Sequence, residues 1–163
     1  MYQILKDFAG PIATAVAALA AVWVTAYFAR HQKKIAEEQA HIAREKLRHD
    51  LYDRRYRVFD AARTLLVQIA RERISSDEAL RAFVIGTGDA VFLFDDDMAA
   101  QLKQMYSHAQ KLQILGQYLE PMPVGPQRTK LVNQSEEEFK WLDEQLGGLV
   151  DTFKPFLKSK LEK

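Results

Sequence analysis

The chain has 163 residues, with 23 Lys and Arg against 22 Asp and Glu for a net charge of +1, and no cysteine. That length fits one domain with an attachment. The near-zero charge argues against a protein drawn to nucleic acid by its overall field, and the missing cysteines exclude disulfides, thiolate catalysis and Cys-ligated zinc or iron–sulfur centres. Good helix formers dominate and strand-like alternation is absent, so an all-α fold is predicted.

After a short tail, residues 1–7, the run FAGPIATAVAALAAVWVTAYFA at 8–29 holds 22 residues without a charge. As a helix it is about 33 Å long, enough for a hydrocarbon core of about 30 Å. A signal-peptide core is usually only about 7–15 residues long, so a retained transmembrane helix is predicted. Pro11 falls in the first turn, where its missing N–H does little harm. Tyr27 falls near the end, where interfacial aromatics are enriched. Lys6 is offset by Asp7 on one flank, whereas Arg30, Lys33 and Lys34 crowd the other. Basic residues stay cytoplasmic, so the tail crosses and residues 30–163 remain inside; Arg30, Lys33 and Lys34 are then placed to touch lipid phosphates. Ala13, Ala17 and Ala21, continued by Thr25 and Ala29, form a small-residue stripe and a candidate helix–helix contact. Nine of the 22 residues are alanine, so composition alone readily produces such a stripe.

Residues 30–46 read as a charged juxtamembrane helix. Ile35 and Ile42, seven apart, are a second candidate contact, a seam shorter than the three or four heptads that define a coiled coil. From Arg30 to Arg73 no Gly or Pro interrupts, and Leu51, Val58, Ala62, Leu65 and Ile69 mark one apolar face. The stretch KLRHDLYDRRYRVFD, residues 46–60, invites comparison with a nucleic-acid clamp or a lipid-binding patch. Asp50 and Asp53 stand four residues before Arg54 and Arg57, the favourable order for helical ion pairs. Residues 30–57 hold nine cations and five acids, and the interleaved acids spoil a basic stacking platform. On a straight helix Arg54 would lie about 37 Å beyond Ala29, whereas screening acts over about 8 Å. This reading excludes nucleic acid and leaves Arg54, Arg55 and Arg57 as exposed candidates to face a protein partner.

The bundle is predicted over 47–158, with helices at 47–72, 76–93, 96–119 and 131–154 and a tail at 159–163. Ser75 with Glu78 has capping-box spacing, and Gly86 and Gly88 supply a stop or break. DAVFLF, 89–94, reads as a helical turn in preference to a short buried extended piece, since no second strand exists to pair with it. In FDDDM, 94–98, an N-cap at Asp95 or Asp96 explains the acids better than a metal, whose hard-cation sites draw ligands from spaced positions. Met98, Leu102, Met105, Ala109, Leu112 and Leu119 share the next helix's core face. EPMPVGPQR, 120–128, is a loop. Ser135 with Glu138 again has capping-box spacing before Phe139, Leu142, Leu146, Leu149 and Phe153. Gly147 and Gly148 weaken that helix by about 1 kcal/mol each unless a neighbour packs there, and Pro155 marks its end. His41, Glu45 and His49 share a face and read as solvated, for lack of a further ligand from another element. No phosphate loop, nucleophile elbow or HExxH occurs.

Three pieces, KLRHDLYDRRYRVFDAA at 46–62, AVFLFDDDM at 90–98 and WLDEQLGGLVDTFKPFL at 141–157, together resemble a group of small, uncharacterised bacterial proteins, many with one N-terminal membrane helix. The resemblance covers about two-thirds of the chain. It implies a helical domain in a bacterial membrane setting and carries over no catalytic residue. The expected protein is thus a single-pass protein of the bacterial plasma membrane, with no cofactor, metal or catalytic residue. Its membrane-distal antiparallel bundle of about four helices would serve as an interaction, scaffold or accessory-subunit module, in contact with lipid and with a protein partner or a second copy. The alternatives are a regulator or stress effector whose bundle senses a ligand and alters the membrane segment, and a membrane-bound hydrolase using residues 95–97.

Overall fold

The computed structural model describes the backbone of residues 2–158 and the side chains of residues 17–158. The tail side chains at 1–7, residues 8–16 of the predicted span with Pro11 and Ala13, and the tail 159–163 lie outside the described side chains. The described chain is all-α: α1 (Tyr2–Glu72), α2 (Asp77–Thr87), the single turn α3 (Ala90–Leu93), α4 (Asp96–Leu119) and α5 (Pro126–Leu157), with no strand among the described residues. By its contacts the chain divides into an N-terminal unit, Met1–Leu47, and a C-terminal unit, Arg48–Lys163, with α1 running through the division.

In the C-terminal unit the contacts give the topology. Along α4 and α5 partner numbers rise on one helix as they fall on the other: Gln101 donates to Gln145 at 2.9 Å, and His108 pairs with Glu138. The two helices are antiparallel, joined by the turn at 120–125. Gln113 with Asp77 and Phe83 with Tyr106 set α2 antiparallel to α4. Gln68 with Ser76 and Ala61 against Gly86 do the same for α1 and α2. Phe59 with Phe153, and Arg73 with Glu136, close the ring between α1 and α5. The result is an up-down-up-down four-helix bundle, with α3 as a turn between α2 and α4.

The core lies where the 3- and 4-residue spacings converge. Val58, Ala62, Leu65, Leu66 and Ile69 of α1 meet Leu80 and Phe83 of α2, Met98 to Leu112 of α4, and Leu142, Leu149 and Phe153 of α5. Leu51, placed on this face by the sequence, is 38% exposed, and the core begins at Val58. Phe153 is fully buried, edge-on to Phe59 at 5.4 Å and to Phe94 at 5.5 Å.

Asp95 is the N-cap of α4, its carboxylate accepting from the Met98 N–H at 3.0 Å as expected. Two other expected caps are displaced. The α2 cap is Ser76, whose Oγ accepts from the Ala79 N–H at 3.1 Å, while Ser75 turns inward and is buried. α5 begins at Pro126, not near Ser135, because a proline at the first helical position loses no hydrogen bond and has its φ already set. The loop accordingly shortens to 120–125, and Arg128 bridges it by donating to the carbonyls of Leu119 and Met122. Pro155 sits within α5, which continues to Leu157. Open space surrounds Gly147 and Gly148, so no close packing offsets their helix cost.

Candidate functional surfaces

The described side chains of the N-terminal unit, from Ala17 on, are exposed apart from the half-buried Glu45. Leu19, Val22, Trp23, Val24, Tyr27 and Phe28 are all exposed, as are Ala17 and Ala21 of the small-residue stripe. Trp23 stacks on Tyr27 at 5.9 Å and Tyr27 meets His31 at 4.6 Å, so the aromatics gather at the end of the apolar run. Thr25 donates its hydroxyl hydrogen to the Ala21 carbonyl at 2.7 Å. Arg30, Lys33 and Lys34 follow as exposed cations, Lys33 within 3.8 Å of Glu37. Ile35 and Ile42 are 52% and 65% exposed. Among the described residues no helix is long and apolar enough to cross a membrane; residues 8–16 of the predicted span lie outside the side chains that statement covers.

In the C-terminal unit the three arginines separate. Arg54 is exposed, and Arg57 is exposed with its Nε 3.4 Å from the Asp53 carbonyl, so it folds back on the backbone and not on the Asp53 carboxylate. Arg55 corrects the expectation. Its Nε donates to the Leu93 carbonyl at 3.1 Å and its Nη1 to the Phe156 carbonyl at 3.0 Å, with the guanidinium 5.9 Å from the Phe94 ring centre. Those carbonyls end α3 and lie at the close of α5, where the helix dipole is negative and intrahelical donors have run out. Arg55 therefore ties three elements together and is not a free contact residue.

Two polar clusters were not visible in the sequence. Glu138, at capping-box spacing from Ser135, lies mid-helix and receives His108 Nδ1 on one oxygen and Lys111 Nζ, at 3.5 Å, on the other. The His108 ring stacks on Trp141 at 3.9 Å. This half-buried group fixes the register of α4 against α5. Arg73 is the second: it is the described non-glycine residue with positive φ, at 55°, and ends α1 by donating its N–H to the Ile69 carbonyl at 2.8 Å. Its side chain pairs with Glu136 at 2.6 Å and lies over the Phe139 ring at 4.3 Å. Among the described residues no three His, Asp or Glu side chains gather as a metal site, and His41 and His49 stand exposed.

The feature most unlike a solvated bundle surface is the α2–α3 corner. DAVFLF forms a helical turn as preferred, but it is split: Ala90 is buried and Leu93 and Phe94 pack on the core, while Val91 and Phe92 are 58% and 85% exposed. One turn earlier, α2 buries Leu80 and Phe83 and leaves Val84 and Ile85 at 49% and 82%. The sequence signal was present, because Ile85 falls between the inward spacings of Leu80, Phe83 and Gly86 and therefore faces outward. Comparison with protein-family models, with curated proteins and with solved structures finds no match to this chain.

Proposed function

We propose that the protein is a non-enzymatic, single-pass membrane protein whose four-helix bundle serves as an interaction or accessory-subunit module on the cytoplasmic side of a bacterial plasma membrane. One observation carries the reading: the uncharged run at 8–29 passes directly into Arg30, Lys33 and Lys34. Water would hydrate that apolar surface at a large cost, and a bilayer removes the cost while the cations stay at the headgroups. The exposed Leu19, Val22, Trp23 and Phe28 support it, since the protein's own chain does not cover them. The interaction role is supported by the apolar side chains of Val84, Ile85, Val91 and Phe92 left outward at the α2–α3 corner.

The test is a gentle-detergent purification of the full chain, with mass spectrometry of co-purifying proteins and the molecular mass of the complex. A stoichiometric partner or a defined homo-oligomer is expected. A detergent-solubilised monomer that retains no partner would contradict the module reading.

A further inference from the structure

We infer that the α2–α3 corner is a docking site for a basic amphipathic helix of a partner protein. The inference deepens the interaction-module reading and rests on it; it does not depend on membrane anchoring. Val84, Ile85, Val91 and Phe92 lie within nine residues of chain, on two short helices joined through Gly88 and Asp89. At their exposures they present on the order of 400–500 Å² of largely apolar surface, the size at which a monomer's patch is often functional. A second copy of the chain would need about 800 Å² from each partner, nearly twice what the corner offers. The face of one helix, docking two to four apolar anchors, fits the area.

Charge selects among helices. From residue 81 to residue 102 the chain carries Asp89, Asp95, Asp96 and Asp97 and one cation, Arg81. All four aspartates are exposed, and three follow Phe92 by three to five residues. Asp95 caps α4, its carboxylate accepting a hydrogen bond from the Met98 N–H. The guanidinium of Arg55 donates to the neutral Leu93 and Phe156 carbonyls and adds one cation beside the four aspartates. Four aspartates against Arg81 and Arg55 leave the segment net acidic, which repels anionic lipid and acidic helices and attracts an apolar face flanked by Lys or Arg.

The experiment uses the full chain in phosphatidylcholine nanodiscs, with empty nanodiscs as the reference. Binding of a labelled amphipathic Leu/Lys peptide is compared with its Leu/Glu counterpart, for wild type, for Ile85→Ser with Phe92→Ser, and for Asp89→Asn with Asp96→Asn and Asp97→Asn. The third variant keeps the Asp95 cap. The Leu/Lys peptide is expected to bind at least tenfold tighter than Leu/Glu. The serine pair should lose that binding tenfold or more, and the asparagine set should abolish the preference. Equal binding of both peptides, or binding that the serine pair leaves unchanged, overturns the proposal. So does a doubled complex mass that the serine pair halves, which assigns the corner to a second copy. Quenching by nitroxide lipid of a fluorophore on Phe92→Cys, a unique thiol in this chain, would assign it to lipid and overturn the proposal equally. A stoichiometric partner that co-purifies with wild type and serine pair alike sinks this site alone; absence of any partner or oligomer sinks the module reading.

Discussion

Helix α1 passes through two regions of opposite character. Over 17–47 its apolar side chains are exposed, and its two isoleucines, Ile35 and Ile42, stand seven residues apart. Over 58–69 apolar positions recur at three and four, and Val58, Ala62, Leu65, Leu66 and Ile69 are at most 1% exposed. Helix propensity is high in both, so propensity does not separate them; the spacing of apolar groups does. The first region has helical backbone without a protein core, and its apolar surface calls for lipid or another chain. The second has a core of its own.

The largest test of that contrast is Leu19→Arg with Val22→Arg, near the middle of the apolar run. Each arginine costs about 2.5–3.5 kcal/mol at a bilayer centre. The protein should leave the membrane fraction while the bundle's thermal transition stays unchanged. In the second region the expected losses are in folding. Phe153→Ala should lower stability by about 3–5 kcal/mol, because it empties the contact with Phe59 and Phe94; denaturant titration in detergent measures this, and membrane attachment should persist.

A smaller loss is expected at Gly86. A Cβ there would stand 2.5 Å from the Ala61 Cβ, which has no flexible end to yield, so α1 and α2 must move apart. Gly86→Ala should cost about 1–3 kcal/mol in the same titration, and Ala61→Gly in the same chain should restore part of it. Smallest is the effect at Arg73. Arg73→Ala loses the Phe139 contact and keeps the left-handed backbone, whereas Arg73→Gly relieves it. The glycine variant should be the more stable by about 1 kcal/mol, and equal stabilities would show that the backbone there is unstrained.

What could be read from the sequence was what is local. Asp95 caps α4 through a backbone N–H three residues away, and Met98, Leu102, Met105, Ala109 and Leu112 form the face their spacing predicts. What could not be read depends on distant partners. Arg55 looked like any other cation of a charged stretch, yet its acceptors are 38 and 101 residues away. Glu138 had capping-box spacing from Ser135, and its partner is His108 on the preceding helix. At the start of α2 two adjacent serines competed for the cap. The chain leaves α1 through the left-handed Arg73, which turns Ser75 inward and gives the cap to Ser76. The outward placement of Ile85 and Phe92 follows from helical phase.

The most direct measurement follows the full chain with a C-terminal reporter through alkaline washing of membranes and high-speed sedimentation, with protease added to intact spheroplasts. The account predicts recovery in the membrane pellet and a reporter protected from external protease. Recovery in the supernatant, or a reporter cleaved from outside, would contradict it.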